Sequence, residues 1–192
     1  MNIQISETFK NLVPPQRPDE YKLLEESILK NGFDPAYPII LWDNTLIDGH
    51  NRYEICQKHN IPFTTSEKSF DNEHDVINWI IDNQLSRRNI TDDQRAYLIG
   101  KRYKEEKKEH GNTRESINKQ VIRHTDVSLD DKSTSQKIAE QSKVSHATVE
   151  RAEKFADAVD KVAENTGINP QKIRSGQISA TRKDIQDMSK FW

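Results

Sequence analysis

The stretch PIILWDNTLIDGHNRYEICQKHN, residues 38–60, holds a strand, a turn, a second strand, a glycine and a helix in immediate succession. Ile39 to Trp42 is a short apolar run and predicts a strand. Asp43-Asn44 is turn chemistry, and Thr45-Leu46-Ile47 predicts the returning strand of a hairpin. The chain then reaches Gly49, and a helix over His50 to His59 follows with Tyr53 and Cys56 inward. Short strands interleaved with helices predict a mixed α/β domain.

Working outward, Pro14, Pro15 and Pro18 break any early helix. The segment PDEYKLLEESILKNGF that follows predicts a helix with Tyr21, Leu24, Ile28 and the neighbouring Leu23 and Leu29 on one face. Pro18 suits its first turn and Gly32 the position just past its end. Ile61-Pro62-Phe63 begins another extended segment. From Asp71 the pattern turns helical, with Val76, Trp79, Ile80 and Leu85 on an apolar stripe. Thr91-Asp92-Asp93-Gln94 has capping-box spacing and opens a helix through Ala96, Ile99 and Tyr103 into a charged end. Residues 111–133 are polar and aperiodic, and predict a loop. Helical pattern returns with Ile138, Ala139, Val144, Val149, Ala152 and Phe155. A further helix is expected over Ala156 to Glu164, and short helical pieces around Pro170–Ser175 and Ala180–Lys190. The organisation is therefore a small α/β domain over residues 1–88 and an all-α domain over 89–192.

Composition narrows the class. With 33% hydrophobic and 31% charged residues, the chain suits small cores with wide solvated faces. The net charge of −2 hides an asymmetry. Residues 1–83 carry 7 Lys and Arg against 14 Asp and Glu, and the remainder 22 against 17. The basic half can supply phosphate attraction. Cys56 is the only cysteine, so an intrachain disulfide and a multi-cysteine zinc site are excluded, and the six histidines show no metal-ligand spacing. The first residues do not read as a secretion signal and no run is long enough to span a membrane, so a cytoplasmic protein is expected. Trp42 and Trp79 read as core residues and Cys56 as a small buried one.

The strongest local signal in the basic half is TSQKIAEQSKVSHATVERAEKF, residues 134–155. A helix-turn-helix needs a small residue where its helices cross, and Ala139 supplies it. It needs apolar residues flanking the turn and inside the second helix, and Ile138, Val144 and Val149 have that spacing. Ser145 is placed to cap the second helix, leaving Thr148 and Arg151 to project from its first turns. In such a motif the N-terminal residues of the second helix reach base edges. Ser145, His146, Thr148 and Arg151 are the expected DNA contacts: Ser145 and Thr148 to phosphates, His146 and Arg151 to bases. Lys137 and Lys143 are expected near the backbone. Lys143 stands where the turn ordinarily has glycine. An ordinary helical hairpin with a capped second helix is the plainer alternative. The lysines over 101–108 alternate with glutamates and read as a solvated helix face.

The second signal is the turn at Asp48-Gly49-His50-Asn51-Arg52. Backbone N–H groups at a helix start favour an anion, glycine lets a phosphate approach, and His50 and Arg52 add donors. The competing reading is structural, with Asp48 capping the helix and Arg52 paired to a carboxylate.

Here a resemblance becomes specific. A PDEY-type segment, a helix ending in Gly32-Phe33, a Pro38-Ile-Ile-Leu-Trp42 run, the turn from Thr45 to Tyr53 and the later DNQLSRRNIT over 82–91 fall in the order found in ParB-like proteins, with a helix-turn-helix after them. Over roughly residues 10 to 160 the chain resembles a ParB-type protein of a plasmid, phage or integrative element. The resemblance implies a ParB/sulfiredoxin-type N-terminal domain and specific binding of double-stranded DNA for partition or regulation. It further implies a partition ATPase as a partner and CTP with Mg2+ at the glycine-arginine turn. A homodimer is expected because one helix-turn-helix seldom gives enough affinity and paired half-sites multiply it. Carried over by position, Gly49, His50, Asn51 and Arg52 would hold nucleotide phosphate, with Asn83 and Arg87 from a later E-N-x-x-R-like segment. The chain departs from the family at Asp82 in place of glutamate, at one extra residue before Arg87, and at Asn51-Arg52 where two arginines are common. Sulfiredoxins share the fold but need a cysteine where this chain has His50. The enzymatic alternative is a nuclease, against which the lack of an acidic metal cluster counts, or a free-serine-type kinase with Glu20, Glu25 and Asp48 as candidate carboxylates to activate a hydroxyl.

Overall fold

The computed structural model describes residues 3–87, 89–118, 132–175 and 177–192. They form two compact units, Met1–Arg88 and Asn89–Trp192.

In the first unit, helix α1 (Glu7–Leu12) and helix α2 (Pro18–Asn31) precede a three-stranded sheet. Strands β1 (Ile39–Trp42) and β2 (Thr45–Asp48) form the expected antiparallel hairpin. Asp43 and Asn44 turn it with φ of 45° and 58°. Two successive left-handed residues match the right-handed twist of the strands. Helix α3 (His50–His59) crosses over to β3 (Thr65–Glu67), which lies parallel to β1, giving the order β2-β1-β3. Helix α4 (Glu73–Leu85) packs on α1 and β2.

Alternation sorts the residues around the sheet. Ile39, Leu41 and Leu46 are fully buried, in a cluster with Ile3, Phe33, Tyr53 and Phe63. Ile28, Ile55 and Cys56 join α2 to α3 in a second cluster. Burial pushes the Cys56 thiol pKa up, in keeping with a core role. Leu23 and Leu29 depart from expectation, being 66% and 53% exposed. At 100° per residue they point away from the stripe that Tyr21, Leu24 and Ile28 define. Trp42 and Trp79 are partly buried: Trp42 tilts against Phe9 and donates to the Phe70 carbonyl, and Trp79 packs on Phe70.

The second unit is helical. Helix α5 (Asp92–Asn118) opens with the expected capping box: Gln94 N–H donates to Thr91 Oγ1 at 3.2 Å, and Thr91 N–H to Gln94 Oε1 at 2.8 Å. It extends to Asn118, where a loop was expected from 111. Gly111, Asn112 and Thr113 are poor helix formers and no apolar stripe accompanies them, so local sequence does not announce the continuation. Residues 119–131 of that expected loop lie outside the described residues. Helix α6 (Thr134–Ser142) is followed by α7 (His146–Thr166), α8 (Pro170–Arg174), α9 (Arg182–Met188) and a 3₁₀ turn over Ser189–Phe191. Helix α7 runs unbroken through Ala156, where a separate helix was expected to start. Phe155, Ala156, Val159 and Val162 are all buried along it, and no breaker occurs before Gly167.

Gly100 permits the packing of α5 on α7. A Cβ there would stand 2.2 Å from the Ala152 carbonyl oxygen. Beside this contact, Lys101, Lys104 and Lys107 of α5 pair with Asp160, Asp157 and Glu153 of α7. These lysines were expected on a solvated face; they instead form an interhelical ladder. Among the described residues, no helix is long and apolar enough to cross a membrane.

Candidate functional site

Strand β2 ends at Asp48, and the chain enters α3 through Gly49, whose φ is 96°. A side chain there would adopt a disfavoured left-handed backbone and would place its Cβ 3.0 Å from Arg52 Nη2. The glycine therefore lets Arg52 fold back across the turn. Arg52 Nη2 donates to the Pro38 carbonyl and to Asp48 Oδ2, each at 3.3 Å. Arg87, just past α4, donates to Asp48 Oδ1 at 2.9 Å. Two arginines from different elements thus meet on one carboxylate. Asp48 makes no side-chain cap of α3; the arginines take it.

The other expected phosphate ligands divide. His50 turns inward, and neither ring nitrogen has a hydrogen-bond partner among the described residues. Burial lowers its pKa to about 4, against the opposing pull of Asp48, so the ring is neutral at pH 7. Asn51 is half-buried on the first turn of α3. Asn83 is half-buried on α4, its carbonyl accepting from Ser86 Oγ, and it makes no hydrogen bond to the turn among the described residues.

Arg52 also lines a cavity of about 500 Å³ with Leu24, Ile28, Phe33, Asp34 and Tyr37. That volume falls within the range of small-molecule sites. Sequence reading did not single out this cavity, because its walls come from the end of α2 and the loop before β1. Nor did it foresee that Asp48 bridges two arginines.

In the second unit, α6 ends at Lys143, whose φ and ψ are 55° and 43°. The lysine adopts the left-handed conformation that glycine would take more cheaply. Val144 N–H then donates to the Ala139 carbonyl at 2.9 Å, closing the turn. Ser145 caps α7: its Oγ accepts from Thr148 N–H at 3.2 Å and lies 2.9 Å from Thr148 Oγ1. Both hydroxyls are engaged in this cap. His146 and Arg151 are exposed on the first turns of α7, Lys143 is exposed at the turn, and Lys137 is half-buried on α6. The turn and its flanks line a shallow groove of about 390 Å³ that includes Lys143, Val144 and His146.

Two of the three carboxylates considered for an enzyme are engaged elsewhere. Glu25 accepts from Lys58 at 2.8 Å and lies 2.7 Å from His59 Nε2, contacts that lower its pKa. Glu20 accepts from Arg17 N–H in the cap of α2.

No family model matches the sequence, and no curated protein matches it closely. Solved structures do. The C2221 form of a pNOB8-like ParB-N domain aligns over 98% of this chain and 76% of its own, with TM-score 0.54 and 18% identity. A second structure of the pNOB8-like ParB N-domain aligns over 98% and 71%, with TM-score 0.52 and 17% identity. The chain has the fold of a ParB N-domain. Within this ParB-N fold the expected mixed α/β class holds: mostly helix with one small three-stranded sheet.

Proposed function

We propose that the protein is a ParB-type, sequence-specific DNA-binding protein acting in partition or regulation of a plasmid or mobile element. The observation that carries this reading is the turn between α6 and α7. Lys143 takes the left-handed position, Ser145 caps the second helix, and His146 and Arg151 stand exposed on its first turns. A helix so capped fits the major groove with its N-terminal end toward base edges. Ser145 and Thr148 serve by fixing that end, and their part in phosphate contact is secondary. Lys143, exposed at the turn, and Lys137 on α6 are the proposed contacts to the DNA backbone. The likeness to ParB N-domains supports the assignment at the level of fold. We further propose a homodimer, because paired half-sites multiply the modest affinity of one such module. A partition ATPase is the partner this reading expects.

The first unit is proposed to bind a nucleotide, with CTP the candidate. Its phosphates would lie against Arg52 and Arg87 and its base in the adjoining cavity. Gly49 and the backbone of Asn51 would line the phosphate approach, while His50 stays in the interior. The residues fit phosphate well. They fit a magnesium ion less well, since the carboxylate at the site, Asp48, is held by both arginines.

Selection of bound sequences from a random DNA pool, with and without CTP and magnesium, tests the reading. One enriched motif is expected, and it should be lost in Arg151→Ala while the variant remains folded. A pool with no enrichment in either condition would sink the DNA-reading assignment and move weight to an enzymatic role at the Gly49 turn.

A further inference from the structure

The geometry points to Asp48 as the residue that sets the charge of the ligand accepted by the Arg52–Arg87 pair. Phosphoryl groups carrying two or more negative charges enter. Singly charged phosphodiesters and carboxylates do not. This rests on the phosphate-site reading above and names the ligand class of that site.

Three elements converge here. Asp48 ends β2, where it is held in register opposite Ile40. Arg52 lies one turn into α3, and Arg87 follows α4. The carboxylate is nearly enclosed, its side chain 14% exposed, while Arg52 and Arg87 are 25% and 43% exposed. Each carboxylate oxygen takes one guanidinium, so the pair already holds an anion built into the chain.

An incoming anion has to displace that carboxylate. A tethered group acts at high effective concentration, so a free group of equal charge loses the competition. A DNA phosphodiester and a carboxylate each carry one negative charge, as Asp48 does. A terminal phosphate has a second pKa near 6 and carries close to two charges at neutral pH. It can engage both guanidiniums while repelling Asp48 outward. Arg52 keeps its bond to the Pro38 carbonyl, so Arg87, the more exposed of the two, is the arm free to swing toward the ligand.

The device separates two kinds of phosphate in one chain. The helical unit is proposed to meet DNA phosphodiesters; the arginine pair of the other unit would ignore them and answer to polyphosphate.

Calorimetric titration of the full chain with inorganic tripolyphosphate and with dimethyl phosphate tests this. The wild type should bind tripolyphosphate and show no heat with dimethyl phosphate. In Asp48→Asn, tripolyphosphate should bind roughly tenfold tighter or more, the scale of one charge-assisted contact, and dimethyl phosphate should become measurable. If the wild type binds tripolyphosphate and Asp48→Asn binds it equally or more weakly, Asp48 is no counter-anion, although the phosphate site stands. If neither protein binds tripolyphosphate, the phosphate site and this inference fall together. A measurement without any variant guards against misfolding. The Asp48 carboxylate carbon resonance of the wild type should shift when tripolyphosphate saturates the protein, and a static resonance at saturation overturns the displacement.

Discussion

At the scale of single residues, His50 shows how position overrides type. Its sequence setting suggested a phosphate donor, yet its ring is enclosed and neutral, with a pKa pushed down to about 4 by burial. That pKa lies below the unfolded value near 6.5, so the unfolded chain takes up the proton first as the pH falls. His50 therefore costs nothing above pH 6.5 and destabilises progressively as the pH drops toward 4, by up to about 3 kcal/mol. Urea midpoints at pH 7.5 and pH 5 should separate for the wild type more than for His50→Leu; equal separations would refute the assignment. The glycine before it was legible from sequence, because a strand meeting a helix with no intervening loop needs an unusual backbone. The Asp48 bridge was not legible as such. Arg52 is four residues from Asp48, but Arg87 is 39 residues away, and only the packing of α4 on β2 brings it there.

At the scale of elements, the hairpin, α2, α4 and the capped start of α5 were readable from period and cap chemistry. The misses in the second unit share a cause: the length and burial of its helices depend on neighbours. Lysines 101, 104 and 107 looked solvated because their acidic partners lie more than forty residues away on α7. Gly100 passed unnoticed because a glycine inside a helix reveals its purpose only when the opposing backbone is known. Gly100→Ala would press a methyl group against the Ala152 carbonyl, and should destabilise the helical unit by about 1–3 kcal/mol. A thermal melt of that variant with an unchanged midpoint would contradict the close approach. Ser145→Ala should cost about 1 kcal/mol through loss of the α7 cap. It should also weaken DNA binding less than Arg151→Ala does, in a fluorescence-anisotropy titration. The reverse ranking would make the hydroxyl a direct contact.

At the scale of the whole molecule, each unit has its own core and its own candidate chemistry. Residues 89–192 expressed alone should keep the DNA preference of the full chain, with affinity falling steeply as salt rises because basic side chains release counterions. Retention of DNA binding by residues 1–88 alone, and its absence from 89–192, would invert the assignment. The division also has an optical consequence. Trp42 and Trp79, both partly buried against phenylalanine rings, belong to the first unit, whereas Trp192 of the second is 51% exposed. Exposed indole emits much as it does in an unfolded chain. Tryptophan emission therefore reports chiefly on the α/β unit, while far-ultraviolet ellipticity is weighted toward the long helices α5 and α7. Two spectrometers following one denaturation would read two different halves of the same protein.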